Sequence, residues 1–152
     1  MAAEPKILGV HLRAIAQSTE LEERVLQAVA LASGTQNISV SKAEGHFGTP
    51  IMIFEAELRK RADISRFVGL MSEAGVLQAL AGQAEARTDS DCTFHFRLDK
   101  QEAFLGKLAL AAGKDVIDVS VKIGTYPAKP EAAARAVAEW LGSLPTQAAT
   151  KH

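Results

Sequence analysis

His11, His46, His95, the lone Cys92 and the carboxylates Glu55, Glu57 and Asp99 are the side chains here that could do acid–base, nucleophilic or metal chemistry. The histidines could be drawn with those acids as a catalytic or metal cluster. Their spacing argues otherwise: neither an H-x-E pairing nor an H-E-x-x-H helix face is present, and scattered histidines more often serve as hydrogen-bonding surface residues. One cysteine excludes an internal disulfide and every multi-cysteine metal motif, and Cys92 alternates in step with Phe94 and Phe96, which marks a packed thiol. No nucleophile elbow, phosphate-binding Walker loop or dinucleotide fingerprint occurs. The expectation is a protein without catalytic residues, metal or cofactor.

Two stretches remain. Gly45-His46-Phe47-Gly48 spells the G-x-x-G loop that clamps a nucleic-acid backbone between helices, yet here it lies between strand-like segments. Glycine dihedrals at a hairpin tip explain it, although paired glycines also expose backbone N–H groups that could meet a phosphate. The second stretch runs from Asp91 to Gly106. Cys92, Phe94, Phe96 and Leu98 share one parity while Thr93, His95, Arg97 and Asp99 share the other, the signature of a half-buried strand, which ends in the polar turn Asp99-Lys100-Gln101-Glu102.

The elements that must position these residues follow from periodicity. Pro5 to Ala16 alternates as a strand, with Leu8, Val10, Leu12 and Ala14 opposed to Gly9, His11 and Arg13. A helix follows, opened by Thr19 and Glu22 at capping-box spacing and closed by Gly34, with Leu21, Val25, Ala28, Val29 and Ala32 on one face. Ile38 to Glu44 and Ile51 to Lys60 flank the glycine loop as a hairpin, and Ala62 to Ala74 is a helix packed through Ile64, Phe67, Val68 and Met71. Val76 to Leu80 adds a helical turn, and Gly82 to Ser90 reads as a loop. Phe104 to Leu110 reads as a further strand, Val116 to Tyr126 as the clearest alternation in the chain, and Glu131 to Leu141 as a final helix behind Pro127 and Pro130. The fold class is therefore α+β, with a mostly antiparallel sheet of five to six strands and helices packed on one face, in the order β-α-β-β-α-β-β-β-α. Residues 1–144 form one domain, and 145–152 read as a disordered tail.

A sheet covered on one side leaves its other face open. On these parities that face collects His11, Arg13, Arg59, His95, Arg97, Lys107 and Lys122, diluted by Glu55, Glu57 and Asp118. Such charges commonly solvate a wet face and pair across strands, for example Glu57 with Arg97. Phe54, Phe94 and Phe96 all point inward, so a base-stacking platform of exposed strand aromatics is not expected. Contacts of Arg and Lys with phosphate or sugar are compatible with the pattern.

Composition sets the outer limits. The 152 residues, 47% of them hydrophobic, are enough for one core without disulfides. Seventeen basic against eighteen acidic residues leave a net charge of −1, so no global field draws the chain to nucleic acid or anionic membrane, and binding must come from a local patch. No apolar run is long enough to span a bilayer and the N-terminus has no signal-peptide core, which points to the reducing cytoplasm.

Gly45-His46-Phe47-Gly48-Thr49-Pro50-Ile51, Glu55-Ala56-Glu57-Leu58, Arg97-Leu98-Asp99-Lys100-Gln101-Glu102-Ala103-Phe104-Leu105-Gly106 and the closing Tyr126-Pro127 together resemble the small archaeal RNA-binding family described as predicted exosome-associated proteins. The likeness runs from about Lys6 to Leu141. It implies a fold similar to the ribosomal protein that binds 5S rRNA, and a role in RNA binding or processing with no catalytic residues. His46 with Gly45 and Gly48, and Arg97, Asp99 and Lys100, occupy the motif positions and are candidate RNA contacts, joined by His11, Arg13, His95 and Lys122 from the open face. The implied partners are RNA and an exosome or other RNA-processing complex. The competing reading is a protein-interaction or oligomerisation module, including a homodimer, without direct RNA binding.

Overall fold

The computed structural model describes residues 4–17, 20–45 and 48–145. The elements are β1 (Lys6–Ala16), α1 (Glu22–Ser33), β2 (Ser39–Glu44), β3 (Pro50–Leu58), α2 (Arg61–Glu73), α3 (Val76–Ala79), α4 (Ala84–Arg87), β4 (Thr93–Asp99), α5 (Lys100–Phe104), β5 (Val116–Gly124) and α6 (Pro130–Ser143). The strands form one five-stranded sheet in the order β2-β3-β1-β5-β4, and every neighbouring pair is antiparallel.

Alternation identifies most of the inward residues, the exceptions being Leu8 and Val40, which the same pattern turns inward and the structure leaves exposed. Val10, Leu12, Ala14 and Ala16 of β1 meet Phe54, Ala56 and Leu58 of β3, and Phe94, Phe96 and Leu98 of β4 meet Ile117, Val119, Val121 and Ile123 of β5 on the covered face. The helices complete that core with Val25, Ala28, Val29 and Ala32 of α1, Ile64, Phe67 and Met71 of α2, and Val137, Trp140 and Leu141 of α6. Cys92 is a buried free thiol with φ of 60°, a left-handed turn residue leading into β4.

The structure departs from the sequence reading at several elements. Phe104 to Leu110 is not a strand: Asp99 ends β4 and accepts the Glu102 N–H at 2.9 Å, so its carboxylate caps α5, and only an isolated bridge from Leu98 to Leu110 remains. Lys107 accordingly belongs to no strand of the sheet. The segment 82–90 contains the single-turn helix α4. Leu8 escapes the core parity, because the β1–β5 register slips between Ile7 and Gly9. Helix α1 begins at Glu22 with Leu21 in the cap position, while the Thr19 of the expected capping box lies outside the described residues. So do His46 and the tail from 146 to 152. No helix among the described residues is long and apolar enough to cross a membrane.

Candidate nucleic-acid interface

The antiparallel register stacks the polar face into rows. One row crosses all five strands as Ser39, Glu55, Arg13, Asp118 and Arg97, so cations and carboxylates alternate. The next carries Glu57, His11, Ser120 and His95, and the third Gly9, Lys122 and Thr93. Five of the sequence candidates, His11, Arg13, His95, Arg97 and Lys122, thus share one surface.

Most of that surface is electrically paired. Arg97 Nε donates to Asp118 Oδ1 at 3.1 Å, which corrects the expected Glu57–Arg97 pair: β1 and β5 stand between β3 and β4. His11 Nε2 lies 2.7 Å from Glu55 Oε2, and Arg59 beyond the end of β3 holds Glu57 at 2.8 Å. His95 bridges Asp89 Oδ2, 2.7 Å from Nε2, and Ser120 Oγ, 3.1 Å from Nδ1. That bond from His95, aided by the Thr93 and Asp91 backbone N–H groups, keeps the Asp89 carboxyl below the ordinary carboxylate range.

Lys122 is different. Its Nζ donates to the carbonyl of Asp91 at 2.6 Å, an uncharged acceptor, so its positive charge is not cancelled. Lys6 pairs through its backbone with Gly124, one row further out, and among the described residues makes no ion pair. Lys60, Arg61 and Lys129 lie near the same end of the sheet and are likewise without an ion pair among the described residues. Lys6 and Lys122 thus stand without an ion pair among the described residues where β1 begins and β5 ends.

The motif loops are placed elsewhere. Asp99 and the hairpin tip lie at the opposite end of the sheet, on its two flanks, separated by β1 and β5. The Gly45 N–H donates to the Thr49 carbonyl at 2.6 Å and the Gly48 N–H to the Gly45 carbonyl at 3.2 Å, so both amides are occupied within the loop. Gly48 has φ of 73°, and nothing lies within 4 Å of where its Cβ would be; turn conformation alone calls for glycine there.

Lys100 is buried, at 3% exposure. All three ammonium donors find acceptors: the Ile15 carbonyl at 2.8 Å, Glu20 at 2.9 Å and Asp115 at 2.7 Å. Burial works against the ionisation of Asp115, but hydrogen bonds from Lys100 and Gln101 outweigh it and its carboxyl ends below the ordinary range. An ammonium held this way is a clamp joining β1, α5 and the entry to β5, bound inside the fold and not displayed on the open sheet face. Among the described residues no group of three or more His, Cys, Asp or Glu could hold a metal ion.

Comparisons with known proteins point one way. The family model described as RNA binding matches residues 9–123. An RNA-binding protein of Pyrococcus abyssi is 34% identical over 151 residues, covering 93% of this chain and 97% of that protein. The chain is also similar to the crystal structure of a DUF54 protein from Archaeoglobus fulgidus, at 37% identity and TM-score 0.80 over 90% of this chain and 99% of the other. A DUF54 protein from Methanothermobacter thermautotrophicus matches at 28% identity and TM-score 0.76 over 89% and 98%. A matched model that takes in β1 through most of β5, and a relative above 30% identity along nearly its whole length, establish that the chain belongs to the RNA-binding family with archaeal members that includes the DUF54 proteins.

Proposed function

We propose that this protein is a non-catalytic RNA-binding accessory factor of RNA processing, associated with an exosome, and that it holds RNA backbone against the uncovered sheet face. The observation that carries the reading is the unbalanced charge of Lys6 and Lys122 at one end of a face whose other cations are mostly paired. Arg13, set between Glu55 and Asp118 without an ion pair of its own among the described residues, extends the path toward Arg97. Phosphate contacts of this kind release counterions, so affinity falls with salt in proportion to the number of contacts.

The surroundings of His95 argue against acyl transfer at this face. With Nε2–H donated to Asp89, its Nδ1 can accept from the Ser120 hydroxyl, which outlines a nucleophile–base–acid chain. Acyl transfer also needs donors for an oxyanion. Ser120 sits on an inner strand whose backbone is bonded to β1 on one side and β4 on the other, so the neighbouring N–H groups are committed to the sheet.

Fluorescence anisotropy of a labelled single-stranded RNA, titrated between about 50 and 200 mM salt, tests the reading. Measurable binding at low salt with a log–log slope equivalent to a few phosphates is expected; no binding at low salt overturns it. Exosome association is tested separately by co-purification before and after ribonuclease treatment.

Self-association is favoured by one observation of its own. β2 is paired only with β3, and its residues are nearly all exposed, Val40 included, so its outer backbone edge could pair with a second copy. Sedimentation equilibrium showing a dimer that Lys42→Pro abolishes would support that arrangement, because the odd-numbered residues of β2 bond β3 and the Lys42 N–H faces the free edge.

A further inference from the structure

We infer that the bulge at Leu8 forms a seat for one unstacked base of single-stranded RNA, on the strength of the RNA-binding reading above. Ile7 pairs with Ile123 and Gly9 with Lys122, so Leu8 is the additional residue on β1 and has no partner on β5. It is turned onto the open face: Leu8 is 48% exposed, whereas Val10, of the same parity, is 3% exposed.

The seat is flat because of two glycines. Leu8 lies across Gly124, where a Cβ would stand only 3.0 Å from Leu8 Cδ2, so a larger residue would displace the leucine. Gly9 beside it leaves backbone in place of a side chain. The result is a shallow depression of about 280 Å³, floored by Leu8 and Gly9 and bordered by Glu57, Arg59, Ser120 and Lys122, with the Glu57 carboxylate held by Arg59 at 2.8 Å. An apolar floor receives the face of a base; a hydroxyl and cations at its border can meet the base edge and the adjoining phosphates. Tyr126, two residues beyond Gly124, is fully exposed and offers an aromatic ring at the same end of the sheet.

Charge selects the occupant. Lys122 borders the leucine and Lys6 stands two residues before it, neither in an ion pair among the described residues, and an exposed apolar group beside such cations complements a strand that is anionic along its backbone and apolar on its base faces. A neutral apolar peptide would leave both lysines unanswered.

The test compares the parent protein with Leu8→Ala and Leu8→Phe, using a labelled single-stranded RNA and the same strand carrying abasic sites. Leu8→Ala is expected to lose three- to tenfold in affinity with an unchanged salt slope, and Leu8→Phe to bind at least as tightly as the parent. Abasic RNA should bind the parent and Leu8→Ala alike. If the parent binds and Leu8→Ala binds equally well, the seat is overturned while the RNA-binding reading stands. If the parent binds no RNA at low salt, both fall. Should Leu8→Ala lose its fold by circular dichroism, Leu8→Phe still decides: tighter binding to intact than to abasic RNA, by more than the parent shows, supports the seat, and no such gain overturns it.

Discussion

Lys100 and Asp115 form an ion pair of 2.7 Å in which the lysine is almost wholly enclosed and the aspartate remains half open to water. Together with Glu20 at 2.9 Å, the pair ties the start of α5 to the segments before α1 and β5. Removing one partner of an enclosed pair commonly costs about 3–5 kcal/mol. Glu20 and Asp115 keep some hydration, so Lys100→Ala should cost less, about 2–3 kcal/mol. Urea denaturation reads this as a lower midpoint at an unchanged slope.

The same clamp sets an acid limit. The Asp115 carboxyl titrates below its ordinary 3.8 in the folded chain, so its contribution to stability is complete above about pH 5 and is lost as pH falls through 3.8 toward the folded value. Asp115→Asn should therefore lower stability at neutral pH and flatten the decline of the thermal midpoint between about pH 5 and 3. An acid limb as steep as the parent's would show that other carboxylates govern it.

Much of this architecture could be read from alternation, and the clamp could not. Leu12, Phe54, Phe96 and Val119 point inward because period two allows each strand one buried face. Lys100 stands in a run of polar residues that reads as exposed; its burial depends on Glu20, 80 positions earlier, and on Asp115, contacts that no local pattern encodes. Strand order is hidden in the same way: parity alone allows Glu57 opposite Arg97, whereas the neighbour of Arg97 across the sheet is Asp118. Leu8 obeys the alternation in sequence and breaks it in space, because a bulge leaves no mark on hydrophobicity. α5 did carry a signal: Asp99 and Glu102 stand at the spacing of a helix cap.

The glycine loop is expected to serve the turn. Gly48 holds φ of 73°, which a side chain adopts at a cost of about 1 kcal/mol, and its Cβ would meet no neighbour. Gly48→Ala should lower stability by about that amount and leave RNA affinity unaltered. Lost affinity at undiminished stability would instead give the loop a direct contact with RNA.

Asp118 stands between two arginines, facing Arg13 on β1 and Arg97 on β4, and bonds only the second. Its pair with Arg97 is exposed on both sides, so the stability it provides is at most about 1 kcal/mol. Its effect on an approaching phosphate is larger in kind, because one carboxylate offsets the field of both cations in the middle of the proposed RNA path. Asp118→Asn preserves the shape of the side chain and removes that offset. Affinity for single-stranded RNA should rise about threefold at low salt, and the salt slope should steepen by up to about one unit as Arg97 becomes free to meet a phosphate. Asp91→Asn provides the contrast: Lys122 holds the carbonyl of Asp91 and leaves its carboxylate aside, so any gain there comes from net charge alone and brings no new contact. Equal slopes for the two variants would mean that the arginine row lies off the RNA path and that binding is confined to the lysine end of the sheet.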